Sequence, residues 1–237
     1  MRAKTPDSNE AINIWPFVRI DKPHISNSYL STLKRALIGE PQFYGSEHYL
    51  TFGTEHHVRA LEPKQPITLL EKNDELCTGM AYSFRNSPEV KPVLRGAQTE
   101  VEYSRVYRGA LVLLFLDIFK PLRGWDLKGT SCETWTEFLK KSREYDYFRQ
   151  AALYMAVCNL REFSFIGQRK KPVEVEKGYP GSYEAVSPDL RIVYYYHPLF
   201  FLNVLDYPTF LEEGRRELHY LIDTHLILKE HKLKLAA

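Results

Sequence analysis

The sequence is short of cysteine, of net charge and of long apolar runs. Its three cysteines, Cys77, Cys132 and Cys158, are widely spaced and odd in number, which argues against a disulfide framework and, with no C-x-x-C present, against a zinc knuckle. A reducing cytoplasm is the expected home. No stretch of about 18 or more apolar residues occurs, and the opening MRAKTPDSNEAINIW lacks the apolar centre of a secretion signal. A soluble, unexported protein without a membrane partner is expected. Lysine plus arginine number 32 against 30 aspartate plus glutamate, a formal charge of +2. The whole-molecule field therefore does not announce a polyanion partner, and any such contact falls to local basic patches. His219, His225 and His231 are six apart, a spacing that does not align them on a helix, so zinc is not expected there either. No internal repeat or low-complexity tract is present.

What is present is a long α/β pattern. With 237 residues, the chain suits one large domain, or a domain with appendages, able to bury roughly 70 to 75% of its unfolded surface. Residues 1–24 are polar and then proline-punctuated and read as an arm; residues 25–237 read as the domain, with a core over about 47–200 and a helical addition over about 207–233. Ser26 or Ser28 can cap a helix carrying Tyr29, Leu30, Leu33 and Leu37, which Gly39 and Pro41 stop. A second helix is expected from Glu47 to Leu61, carrying His56 and His57. Adjacent helical residues do not share a face, so at most one of the two reaches a given site. Residues 64–98 read as small helices or loops.

From Gln98 to Lys128 the pattern is that of strands, with turns at Gly109 and at Pro121 to Gly124. The run ALVLLFLDIF is apolar on both faces, as in a buried central strand, and ends in Asp117. A carboxylate there is costly unless it is used or paired, since an isolated buried acid tends to be neutralised. That cost points to a bound cation. Asp126 and Lys128, two apart on the next strand, share one face. A capping box, Thr134-x-x-Glu137, opens a helix, and Asp146 can cap the next, whose Gln150 and Tyr154 are four apart and so neighbours on its surface. EFSFIG and LRIVYYYHP read as further strands, and an amphipathic helix closes the chain.

Asp117, then Asp126-Leu127-Lys128, then Gln150-x-x-x-Tyr154, in that order, resemble the signature of the PD-(D/E)XK nuclease superfamily in the form that closes with a Q-x-x-x-Y helix. GTEHHVRALEP, Gly53 to Pro63, resembles the G-T-x-x-H-x-x-x-L-E-P segment of exonuclease VIII-like and lambda-exonuclease-like proteins, and ISNSYLSTLK, Ile25 to Lys34, resembles their opening helix. The matches span roughly residues 25–167. The resemblance implies an α/β restriction-endonuclease-like core, a mixed central sheet flanked by helices, with an N-terminal helical region and a C-terminal helical extension. It implies a Mg2+-dependent DNA exonuclease, with Mn2+ as a substitute, acting on double-stranded DNA in recombination or repair. A homo-oligomer and a single-strand annealing recombinase as helper are implied with it. By the same resemblance, Asp117, Asp126 and the carbonyl of Leu127 hold the metal, an acid on the preceding strand, Glu100 or Glu102 on one face with Glu100 the choice, assists a second one, and His57 borders the site.

Hard divalent cations on carboxylates suit phosphodiester hydrolysis, because they activate water and neutralise charge on the phosphate and the leaving oxygen. Lys128 is expected to stay charged among the acids and to position the attacking water, with Gln150 and Tyr154 orienting the lysine, the water or a phosphate. Arg169, Lys170 and Lys171, directly after a core strand, are placed to steer DNA, although a charge run is more often a solvated face. Two departures are present: Phe115 and Leu116 precede the first acid where basic residues or glycine are common, and Gly129-Thr130-Ser131 follows the lysine. Neither removes a ligand. Both leave open a non-catalytic nuclease-fold subunit that binds DNA or supports an assembly.

Overall fold

The structure is a computed structural model that describes residues 22–40, 47–65 and 74–236, together with Val18 and Ile20. Most of the expected arm, and Pro41, Ile67, Leu69 and Leu70, lie outside the described residues. The helices are α1 (Asn27–Leu37), α2 (Glu47–Leu61), α3 (Asp74–Asn86), α4 (Val90–Leu94), α5 (Trp135–Glu144), α6 (Tyr147–Val157) and α7 (Pro208–Ala236). The strands are β1 (Gln98–Tyr107), β2 (Ala110–Lys120), β3 (Arg123–Thr130), β4 (Glu162–Arg169), β5 (Val173–Val175), β6 (Tyr183–Val186), β7 (Ile192–Tyr196) and β8 (Leu199–Asn203).

The central sheet has the order β1-β2-β3-β4-β8. β1, β2 and β3 form an antiparallel meander, β3 and β4 run parallel, and β8 closes the far edge antiparallel to β4. The parallel pair needs a crossover, which α5 and α6 supply. The expected mixed sheet flanked by helices is therefore present. LRIVYYYHP supplies β7, the middle strand of a separate three-stranded sheet, β5-β7-β6; β5, β6 and the β8 edge strand go beyond the sequence reading, because their short segments follow loops without a clear alternation.

One face of the central sheet carries α1, α6 and α7 on a large apolar core that includes Leu33, Leu114, Leu153, Phe163, Phe165 and Leu218. The other face packs Ile118, Leu127 and Ile166 against Ala60, Leu61, Ala81 and Phe84 of α2 and α3. Local signals set the helix starts. Ser26 caps α1 by accepting the Tyr29 N–H at 3.3 Å, Gly39 follows its end at φ +70°, and Thr134 and Glu137 complete the capping box of α5. Asp146 stands at the cap position of α6 in a left-handed conformation, φ +58°, but its carboxylate makes no cap hydrogen bond. It pairs instead with Lys34 at 2.6 Å and Arg149 at 3.1 Å.

Arg149, 1% exposed, also reaches Glu217 of α7 at 2.7 Å and Ser31 of α1 at 2.5 Å. One guanidinium thus fastens α1, α6 and α7 over the site face. A close backbone approach fixes α7 as well: a Cβ on Gly214 would lie 2.5 Å from the carbonyl carbon of Phe148.

Candidate active site

β2 and β3 pair from Lys120↔Arg123 to Ile118↔Trp125, and there the ladder stops. Continued by one residue, the register would set Asp117 opposite Asp126. The two strands part instead, and the side chains take over from the backbone. Asp117 Oδ2 accepts the freed N–H of Leu127 at 2.6 Å. Both acids are buried, 6% and 3% exposed, so their charges are poorly screened. Burial, and then the charge of Asp126, pushes the Asp117 pKa up.

Asp126 is held from two sides. Gln150 of α6 donates from Nε2 to Oδ2 at 2.6 Å, and the Lys128 ammonium lies 2.6 Å from Oδ1. Burial opposes the lysine charge, but Asp126, Tyr147 and Asp117 outweigh it and move the Lys128 pKa up. The ammonium also stands 5.4 Å from the centre of the Tyr147 ring. Tyr147 is a residue that the sequence reading missed. Its signal was its position three before Gln150, on the same helix face.

The Tyr154 hydroxyl donates to the Phe115 carbonyl at 3.0 Å, a contact that fastens α6 to β2 two residues before Asp117. The sequence reading aimed it at the lysine, the water or a phosphate. A hydroxyl with a backbone acceptor at hand is satisfied locally.

His57 of α2 stands where the expected metal ligands converge. Its Nε2 lies 2.8 Å from the Leu127 carbonyl, and its Nδ1 lies 3.7 Å from Glu100 Oε1 and 3.6 Å from Asp117 Oδ2. Burial disfavours the imidazolium, yet Asp117, Glu100 and Asp126 together raise its pKa to about 9. Since a carbonyl only accepts, Nε2 donates to Leu127. His57, Glu100 and Asp117 each offer a ligand atom, all within 4.8 Å of one another. Glu100 Oε1 is buried without a hydrogen-bond partner among the described residues, and Glu100 itself, the third residue of β1, is left-handed, φ +52°. A non-glycine residue with that backbone is strained, and such residues cluster at functional sites. Glu102 is exposed. The donor set is three carboxylates, of which Glu100 carries the orphaned oxygen, and one backbone carbonyl, which suits a hard divalent cation.

His56, the neighbour of His57, is fully buried and bonds Gln168 Oε1 at 2.7 Å, while Gln168 donates to the Met80 carbonyl at 2.8 Å. It belongs to the fold. The basic run after β4 is partly engaged: Lys171 pairs with Glu133 at 3.2 Å, the Lys170 ammonium stands 4.1 Å from the centre of the Phe52 ring, and the Arg169 carbonyl is bonded by His197.

A cleft of about 600 Å³ opens onto Asp117, Asp126 and Lys128. Ser28, Ser31 and Thr32 of α1 line one wall, and Phe115, 49% exposed, forms part of the rest. All three cysteines are buried, and burial raises the thiols of Cys77 and Cys158 to about 11 and 12.

No family model and no curated protein matches the sequence. Among solved structures, one named "Putative exonuclease", from Eubacterium rectale, is similar over 98% of this chain and 88% of its own, with 14% identity and a TM-score of 0.58. An alkaline exonuclease from Laribacter hongkongensis covers 90% of this chain and 95% of its own at 16% identity, with a TM-score of 0.33, too loose a superposition to carry weight. The first likeness establishes a shared fold. Among the described residues, no helix is long and apolar enough to cross a membrane.

Proposed function

We propose that this chain, which shares its fold with a solved structure named an exonuclease and carries the motif order of the PD-(D/E)XK nucleases, is a metal-dependent exonuclease that hydrolyses phosphodiester bonds of DNA. One observation carries the reading. Where β2 and β3 stop pairing, buried Asp117, Glu100 and the Leu127 carbonyl gather around His57, and a second buried acid, Asp126, stands on the facing strand with Lys128 and Gln150 on its oxygens. Among the described residues three carboxylates meet two cations, Lys128 and His57, and a bound cation would offset the remaining negative charge.

Asp117, Asp126 and the Leu127 carbonyl would hold Mg2+ or Mn2+, with Glu100 at its edge, and the ion would supply an acidified water and charge neutralisation on the phosphate. The protein's own contribution is positional. Gln150 fixes the rotation of the Asp126 carboxylate. Tyr154 fixes the stretch of β2 that carries Asp117. Lys128, held charged by Asp126, donates hydrogen bonds to the attacking water and to a non-bridging phosphate oxygen. The water oxygen bonds to phosphorus as the phosphorus–oxygen ester bond breaks, and the water proton passes to solvent while the departing oxygen is protonated. His57 supports the Leu127 carbonyl and lends positive charge beside Glu100 and Asp117.

Duplex DNA is the proposed substrate, Arg169, Lys170 and Lys171 are proposed to steer it, and a homo-oligomer working with a single-strand annealing recombinase follows the resemblance. Cleavage of linear duplex DNA with Mg2+ or Mn2+ tests the reading. Asp117→Ala, Asp126→Ala and Lys128→Ala are each expected to lose on the order of 10²-fold or more, and Ca2+ is expected to support little cleavage. A wild-type protein that binds DNA and cuts nothing with any divalent ion would leave the non-catalytic DNA-binding subunit in its place.

A further inference from the structure

On the Leu127 side of the sheet, away from the cleft, α3 packs against the small β5-β7-β6 sheet and encloses a second groove of about 780 Å³. Tyrosines form its walls: Tyr82 from α3, Tyr183 and Tyr194 from the small sheet, and Tyr179 from the loop between β5 and β6. Tyr82 is 49% and Tyr179 46% exposed, and the Tyr82 and Tyr183 rings meet edge to face at 6.3 Å. Lys91 and Lys177 stand at the rim, both exposed, and neither has an ion-pair partner among the described residues. The groove's one acid, Glu184, accepts the Tyr194 hydroxyl at 3.2 Å.

The groove is rigidly built. Gly79 lies inside α3, where glycine costs about 1 kcal/mol relative to alanine, and a Cβ there would come 2.5 Å from the Tyr183 ring and hydroxyl. Gly181, at φ +80°, brings its loop to the Ser83 carbonyl, where a Cβ would sit at 3.1 Å. The Tyr183 ring stacks on His197 at 5.9 Å and 8°. His197 Nδ1 donates to the Arg169 carbonyl at 2.8 Å, so its Nε2 accepts from the Tyr183 hydroxyl at 3.1 Å. The tyrosine is thereby locked, and the same imidazole ties the groove to the residue that ends β4.

Half-exposed tyrosines, Tyr82 against Tyr183 and Tyr179 against Tyr196 at 5.1 Å, together with cations without ion-pair partners among the described residues are the chemistry that takes up a nucleic-acid strand with unpaired bases, which stack on aromatics while lysines meet phosphates. A paired duplex offers no free base faces. A neutral proline-rich segment would use the rings but leaves the two lysines unexplained. We propose that this groove binds a short segment of single-stranded DNA, with bases on Tyr82 and Tyr179 and phosphates at Lys91 and Lys177. The choice of DNA over RNA rests on the nuclease reading; the groove itself does not.

The test uses the full chain in buffer containing EDTA, so that nothing is cut, and a fluorescein-labelled oligodeoxythymidylate read by anisotropy. Tyr82→Ala with Tyr179→Ala is expected to weaken binding on the order of tenfold or more. Lys91→Glu with Lys177→Glu is expected to weaken it and to flatten the dependence of log K on log salt by about 1.4, the share of two phosphates on a single strand. Photo-crosslinking with a 5-iodouracil oligonucleotide should map to Tyr82, Tyr179 or their groove neighbours. Wild-type binding by both double variants, crosslinks confined to the cleft, or capture of a proline-rich peptide in place of the oligonucleotide would overturn the proposal. Duplex cleavage by wild type keeps the two readings apart. A protein that never cuts but loses strand binding in these variants keeps the groove and gives up the enzyme.

Discussion

The Asp117 carboxylate accepts the backbone N–H of Leu127 across two strands that have ceased to pair, at 2.6 Å. An acid thus replaces a missing rung of the ladder and is held, buried, at the point where Leu127 turns its carbonyl towards His57. Asparagine keeps the acceptor and removes the charge. Burial and Asp126 raise the folded pKa of Asp117, so the ionised carboxylate costs stability as pH rises from the unfolded value through the folded one. Asp117→Asn is therefore expected to raise the unfolding midpoint in EDTA at pH 8 while lowering duplex cleavage on the order of 10²-fold or more. Thermal melts and cleavage rates on one preparation check both signs.

Gln150 and Tyr154 are expected to separate. Gln150 bonds the Asp126 carboxylate directly, and removing a partner that orients a metal ligand commonly costs about 10 to 100-fold in metal affinity or activity. The Tyr154 hydroxyl donates to the Phe115 carbonyl and neighbours Gln150, with no direct bond to Asp126 among the described residues, so Tyr154→Phe should cost less than Gln150→Ala. Mn2+ titrations of cleavage would show the Gln150→Ala loss as a higher metal requirement; equal losses in the two variants would contradict the assigned contacts.

Arg149 holds two carboxylates, Asp146 and Glu217, from a buried position. Arg149→Ala takes one cation from each acid and leaves them Lys34, and breaking a buried pair in this way costs up to about 3 to 5 kcal/mol. Urea unfolding should show it. Lys34→Ala should cost less, because Lys34 is partly exposed and Arg149 still serves both acids.

At Gly214 a methyl group would meet the backbone of Phe148 at 2.5 Å, and backbone cannot rotate away. Gly214→Ala is expected to destabilise by about 1 to 3 kcal/mol or more, although alanine favours the helix. A stability gain would mean that α6 and α7 do not pack as described.

Buried His56 has its pKa lowered to about 3, through burial, then the charge of neighbouring His57. The unfolded chain takes up that proton near pH 6.5 while the folded chain does not. Its stabilising share is therefore full above pH 6.5 and is lost as pH falls towards 3. Chemical unfolding from pH 7 to 4 should show the loss, and His56→Gln should have a shallower acid limb than wild type.

Much of this could be read from the residues alone. Alternation and apolar runs placed β1 to β4, and the capping signals at Ser26 and Thr134 placed α1 and α5, because these patterns depend on neighbours in sequence. The unfavourable burial of Asp117 marked the site for the same reason. LRIVYYYHP marked β7 in the same way, but β5, β6 and β8 were not legible, since segments as short as Val173–Val175 and Leu199–Asn203 become strands only when a partner edge is available.

The sequence by itself determined the order of chemical groups, an acid closing an apolar strand, an acid and a lysine on one face, and a helix carrying glutamine and tyrosine. Tertiary structure alone decided where the groups point. It parted β2 from β3 at Asp117, turned Glu100 through a left-handed backbone, gave the Tyr154 hydroxyl to Phe115, and brought His57 from a different element to the Leu127 carbonyl. Those outcomes depend on which backbone groups remain without partners once the sheet and helices have packed, a quantity fixed by residues far apart in the chain.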